Sequence, residues 1–247
     1  MIEVVILCFV LVLLVTLYRT FAFENGMPTC KNYVANVFLY VAAVLVSVAI
    51  PTFIVKRNRY LKRYRRRFIE RPLSLLIVVL LVYLLLVWSY AKLVEIPSSD
   101  FLGKTLSTLV IVLILAFVLS LFIELNEPIS IKRLQVTSLL AIAIMIVPIF
   151  VGIMFGTTQT FERHVIAISL VYFLIELGIA IAFGINNVFI LTGLTLILLL
   201  TAVSAGRVFE NMKNCSKTTV DYPTESFDFV VNFISIFERI ILLRGIK

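Results

Sequence analysis

Charge is scarce in this chain: 15% of its 247 residues are charged and 62% are apolar, with a mean hydropathy of +1.11. A soluble domain carries nearer a quarter charged residues and about half apolar ones. The shortage therefore excludes a soluble globular enzyme, and the apolar excess excludes a disordered chain. Cysteine is scarce as well, at three residues, which excludes a disulfide-stapled secreted module. Histidine occurs once, as His164 after Glu162 and Arg163. One histidine with no second ligand nearby does not make a zinc site. The chain has no phosphate-cradling Gly-rich loop, no Gly-x-Ser-x-Gly elbow and no His-Glu-x-x-His motif. The Gly178–Gly184 region lacks the strand that a nucleotide site needs. No catalytic residue, cofactor or metal site is expected, and the chain reads as a non-enzyme.

Apolar sequence is abundant. A helix needs about 20 apolar residues to cross about 30 Å of hydrocarbon. Runs of this kind stand at about 2–19, 34–55, 73–94, 105–124, 136–156, 165–184, 186–204 and 229–243. The seventh is joined to the sixth by the short break Gly184-Ile185-Asn186-Asn187. The eighth is short and charged, and reads either as a crossing or as a helix buried in protein. The runs lack the two-residue alternation of barrel strands, and open sheet edges do not exist in lipid. The expected fold is all-α: one polytopic membrane helix bundle spanning 1–247, with seven or eight transmembrane segments. The first run opens without a basic region and closes on bulky Tyr18-Arg19-Thr20-Phe21, so it reads as an uncleaved helix rather than a signal peptide.

The net charge of +8 does not point to nucleic acid, because nine of the 22 basic residues lie between Lys56 and Arg71. A nucleic-acid protein would present a water-soluble basic face. The cluster Lys56, Arg57, Arg59, Lys62, Arg63, Arg65, Arg66 and Arg67 reads first as a topology signal, since positive loops stay in the cytosol. It reads second as a lipid-facing loop drawn to anionic headgroups. The N-terminus is then cytosolic, and loops 20–33, 95–104, 157–164 and 205–228 face the outside or a lumen. Cys30 and Cys215 share that side, so a disulfide in an oxidising compartment and two free thiols both stay open. Asn214-Cys215-Ser216 is the chain's glycosylation sequon.

Two polar features interrupt the apolar runs. Glu176 sits near the middle of the sixth, where a carboxyl costs roughly 3 kcal/mol on insertion scales. It reads as an ion or proton site, or as a neutral carboxyl bonded to another helix. In the eighth run Asp228, Asn232, Ser235 and Arg239 recur at steps that place them on one helix face, with Glu238 beside them. That stripe either lines a path for ions or forms a buried hydrogen-bond seam.

The last forty residues carry a further pattern. Val203-Ser204-Ala205-Gly206-Arg207 closes a helix, Asp221-Tyr222 follows a polar loop, and Val230-Val231-Asn232-Phe233-Ile234-Ser235-Ile236-Phe237 leads to Leu242-Leu243-Arg244-Gly245. This resembles the C-terminal signature of the transmembrane Bax inhibitor motif (lifeguard) family, cellular or virus-encoded. There a helix ends in Asp-Thr-Gln, an acidic-Tyr pair follows, and the last helix reads approximately Tyr-Leu-Asp-Ile-Ile-x-Ile-Phe. Arg65-Arg66-Arg67-Phe68 and Pro72-Leu73-Ser74-Leu75-Leu76 are similar to the family's basic loop and third-helix start. The resemblance implies modulation of calcium stores or cell-death signalling from endoplasmic reticulum, Golgi or plasma membranes. It implies other membrane proteins and calcium ions as partners beside the lipid bilayer. The family's paired intramembrane aspartates fall here on Ala205 and Asn232, neither of which titrates, so the pH-gated mechanism does not carry over. What is implied is a regulator that binds other membrane proteins, or one that leaks calcium through Glu176 and the Asp228–Arg239 stripe. The rival reading is a small ion- or proton-coupled transporter using Glu176.

Overall fold

A computed structural model describes residues 2–57, 72–97, 100–125, 130–183, 187–216 and 220–245. Among them are eight helices: α1 (Ile2–Ala22), α2 (Tyr33–Arg57), α3 (Pro72–Glu95), α4 (Phe101–Leu125), α5 (Ile131–Phe155), α6 (Gln159–Phe183), α7 (Asn187–Lys213) and α8 (Tyr222–Gly245). Five of these are long and apolar enough to cross a membrane: α1, α2, α4, α5 and α7. They expose large apolar side chains, among them Ile2, Phe9, Leu102, Leu139, Phe150 and Leu191. A water-soluble monomer rarely shows patches of that extent, and the helices fit an integral membrane protein.

The helices run past the apolar runs where local chemistry permits. Asp100, Ser130, Thr158 and Asp221 each stand before a helix and accept from a first-turn amide: Gly103 N (2.9 Å), Arg133 N (3.2 Å), Phe161 N (3.3 Å) and Thr224 N (3.3 Å). Such caps satisfy donors that have no partner inside the helix. They start α6 and α8 several residues before their apolar runs. Likewise α7 continues to Lys213, since Arg207, Glu210 and Lys213 suit a helix though not lipid. Within the runs, hydroxyls fold back on their own helix: Thr16 bonds Val12 O, Ser47 bonds Ala43 O and Thr201 bonds Ile197 O. In hydrocarbon that is how a hydroxyl avoids standing unpaired.

One local feature departs from an all-helical chain. Strands β1 (Phe23–Glu24) and β2 (Met27–Pro28) pair antiparallel. Asn25 and Gly26 form the turn, with φ of 52° and 79°. A two-residue turn with both φ positive matches the strand twist, and Asn-Gly is its preferred sequence.

The chain divides into two compact units, Met1–Pro128 with Cys215–Phe227, and Ile129–Asn214 with Asp228–Lys247. In the first, α1 packs on α2, and α4 packs on α2 and α3. Tyr33, Val37, Val48, Leu93 and Ile111 form its core. Beside them Tyr18, Phe23, Tyr40, Phe101 and Tyr222 meet ring to ring, at centroid separations from 4.8 to 6.1 Å. A Cys30–Cys215 disulfide closes this unit across 185 residues of sequence, with a Cα separation of 5.9 Å. In the second unit α7 packs on α5 and α6. The α5–α7 crossing is close: a Cβ on Gly152 would lie 2.0 Å from Ala202 O and 2.9 Å from the Ala205 Cβ. Small residues permit such approach, which is how helices gain packing energy in lipid.

Candidate functional site

The second unit carries a three-member ion-pair cluster. Glu162 lies in the first turn of α6, Arg207 on the polar extension of α7, and Asp228 on α8. Arg207 Nη1 donates to Glu162 Oε1 at 3.0 Å, and its Nη2 donates to Asp228 Oδ2. The three side chains are 32%, 19% and 25% exposed, so the pairs are only partly screened by water. A guanidinium presents a rigid planar fork, which lets one arginine answer two carboxylates. The cluster ties α6, α7 and α8 together through one guanidinium between two carboxyls.

Further along α8, Arg239 is buried at 9% exposure. Its Nη1 donates to the carbonyls of Phe189 and Ile190 at the start of α7, each at 3.3 Å. Tyr172 of α6 donates to the same Phe189 carbonyl at 2.7 Å. Gly193 makes the room: a Cβ there would stand 2.3 Å from the Arg239 guanidinium. Between these two points Asn232 is buried, and Ser235 and Glu238 are half-buried. Within the predicted stripe Asn232 and Arg239 are buried and the others only half-buried, and its two charged ends, Asp228 and Arg239, are joined to α7.

The first unit holds a second polar cluster where α8 begins. Lys104 of α4 is 1% exposed. Its Nζ donates to Asp221 Oδ2 (2.5 Å), Thr224 Oγ1 (2.9 Å) and Leu93 O (3.2 Å). Three acceptors match the three protons of an ammonium. Tyr222, next in sequence, donates its hydroxyl to Thr29 O and accepts from Asn36 Nδ2 at 3.2 Å. Burial pushes the Tyr222 hydroxyl above the usual tyrosine range, which keeps it protonated as that donor. Asn36 also donates to Phe21 O and Lys31 O. With the disulfide, these bonds pin the first turn of α8 to the segment that follows α1.

The other predicted residues fall as follows. Glu176 lies in α6, but its side chain is outside the described residues, so the transport reading gains nothing from it. Lys56 and Arg57 close α2, while Arg59, Lys62, Arg63, Arg65, Arg66 and Arg67 lie outside the described residues. Ala205 is 1% exposed in the α5–α7 crossing, opposite Gly152. Asn214 is exposed in the turn after α7. His164 is exposed, with Nδ1 2.6 Å from Thr160 O of its own helix.

Sequence reading placed Asp228 and Arg239 on one face but missed their partners Arg207, Phe189 and Ile190. It also passed over Lys104, a cation at the edge of an apolar run. That position was the available signal, since a lysine near lipid must find acceptors.

Comparison with family models, curated proteins and solved structures finds no match for this chain.

Proposed function

We propose that this chain is an integral membrane regulator of the Bax inhibitor motif type. In this reading it acts in the secretory pathway on cell-death or calcium-store signalling, by binding other membrane proteins and not by conducting ions. The observation that favours binding over conduction is the use made of the α8 stripe. Asp228 is taken up by Arg207, and Arg239 donates to the Phe189 and Ile190 carbonyls. A leak path needs polar groups that can exchange partners with a hydrated ion, whereas these bond α8 to α7. The apolar surfaces of α1 and α5 leave lateral contact with other membrane proteins open.

The test is a native-gel and cross-linking comparison in mild detergent. Wild type should migrate with a partner in a discrete complex. A variant that alters an outward apolar face, such as Phe150→Ala with Val147→Ala, should lose that complex while keeping its fold. Migration of wild type as a free monomer under every cross-linking condition would overturn the binding reading.

A further inference from the structure

The helix α7 outruns its apolar sequence. From Arg207 to Lys213 it extends about 10 Å further at 1.5 Å per residue. Glu210, Asn211, Lys213, Asn214 and Ser216 are all exposed there. Asn214 stands exposed in the turn that ends this extension, its backbone N–H bonded to Glu210 O at 3.1 Å. The sequon Asn214-Cys215-Ser216 is thus clear of the apolar run. Its middle residue, however, is bonded to Cys30. A disulfide of this kind forms in an oxidising compartment, and such compartments include the endoplasmic reticulum lumen, where N-glycans are attached.

We propose that Asn214 is an N-glycan acceptor whose occupancy is set by the Cys30–Cys215 disulfide. Transfer joins Asn214 Nδ2 to the anomeric carbon of an oligosaccharide carried on a lipid pyrophosphate. The carbon–oxygen bond to the pyrophosphate breaks, the lipid pyrophosphate leaves with the electron pair, and the amide proton passes to a base of the transferase. The acceptor tripeptide has to enter the transferase as a free, extended strand. Cys30 lies 185 residues upstream and is already translocated when Cys215 emerges. Closing the disulfide fixes the middle of the tripeptide against the first unit and withdraws Asn214 from the enzyme. The glycan and the disulfide therefore compete for the same stretch of new chain.

The experiment expresses the full-length chain in mammalian cells and reads gel mobility before and after digestion with an N-glycan-removing glycosidase. Wild type should be chiefly unshifted. Cys30→Ser should give a slower band that digestion removes. Cys215→Ser, which keeps an Asn-Ser-Ser acceptor, should do the same, and Asn214→Gln in either background should abolish the shift. The readout precedes folding, so a variant that folds poorly still reports. Two outcomes would overturn the proposal. A glycan fully present on wild type and unchanged by Cys30→Ser would retain the luminal loop but remove the competition. A glycan absent from wild type and both cysteine variants would remove the acceptor itself.

Discussion

Arg207 joins two carboxyls of the second unit, Glu162 and Asp228. Removing its side chain leaves Glu162 and Asp228 partly buried with no cation between them. The expected loss for Arg207→Ala lies between the roughly 1 kcal/mol of a surface pair and the roughly 3–5 kcal/mol of a buried one. Thermal unfolding in detergent should show a lower midpoint. Arg207→Lys should restore only part of it, since an ammonium lacks the planar fork. An unchanged midpoint for Arg207→Ala would mean that the cluster is held by its helices and does not hold them. Lys104 is the counterpart in the first unit. Its side chain is 2% exposed and that of its acceptor Asp221 21%, so Lys104→Met alone leaves a part-buried carboxylate without its cation. The double variant Lys104→Met, Asp221→Asn should be less destabilised than the sum of the two single changes. Strict additivity would contradict the pairing.

At the scale of elements, glycine and caps decide what apolar length alone does not. Gly152 allows α5 and α7 to touch, and Gly152→Val would drive a side chain into the Ala202 carbonyl. Such a substitution should sharply lower the yield of protease-resistant protein, whereas Gly103→Ala should not. At Gly103 the nearest atoms belong to the movable Asp100 side chain. The described residues of all eight apolar runs fall on or next to helices, five of which are long and apolar enough to cross a membrane, because such length is written in composition. The helix ends were less legible. The start of α8 depends on Asp221 as a cap, a contact of one side chain that hydropathy does not see. The hairpin at Asn25-Gly26 falls within the loop expected at 20–33, and its two-residue strands are too short to leave an alternation pattern. In the polar stripe, Asp228 and Arg239 could be assigned to one face of α8 by helical periodicity. Their partners on α7 could not, because nothing local in sequence says which helix packs opposite. Lys104 and Asp221 are 117 positions apart and meet only through tertiary packing.

At the scale of the whole molecule, the disulfide and the basic loop bear on the same question of sidedness. Cys30 and Cys215 are bonded, and the basic stretch from Lys56 follows α2, whose other end stands close after Cys30. After N-glycan removal, a non-reducing gel should show a faster band for wild type than for Cys30→Ser, and the two should converge on reduction. Loop closure over so long a separation is worth about 5 kcal/mol in the chain-entropy account. Helices that stay inserted already restrict the opened chain, so the drop in unfolding midpoint for Cys30→Ser should be smaller than that figure implies. The most direct measurement for a non-conducting, internally bonded bundle is the calcium leak from intracellular stores. Cells carrying a luminal calcium reporter would express wild type, Asp228→Asn or Glu176→Gln at matched levels, and the leak would be recorded after the store pump is blocked. We expect the same leak rate in all three and in cells without the protein. A faster leak with wild type that either substitution abolishes would contradict the non-conducting reading and make the polar residues of α6 and α8 an ion path.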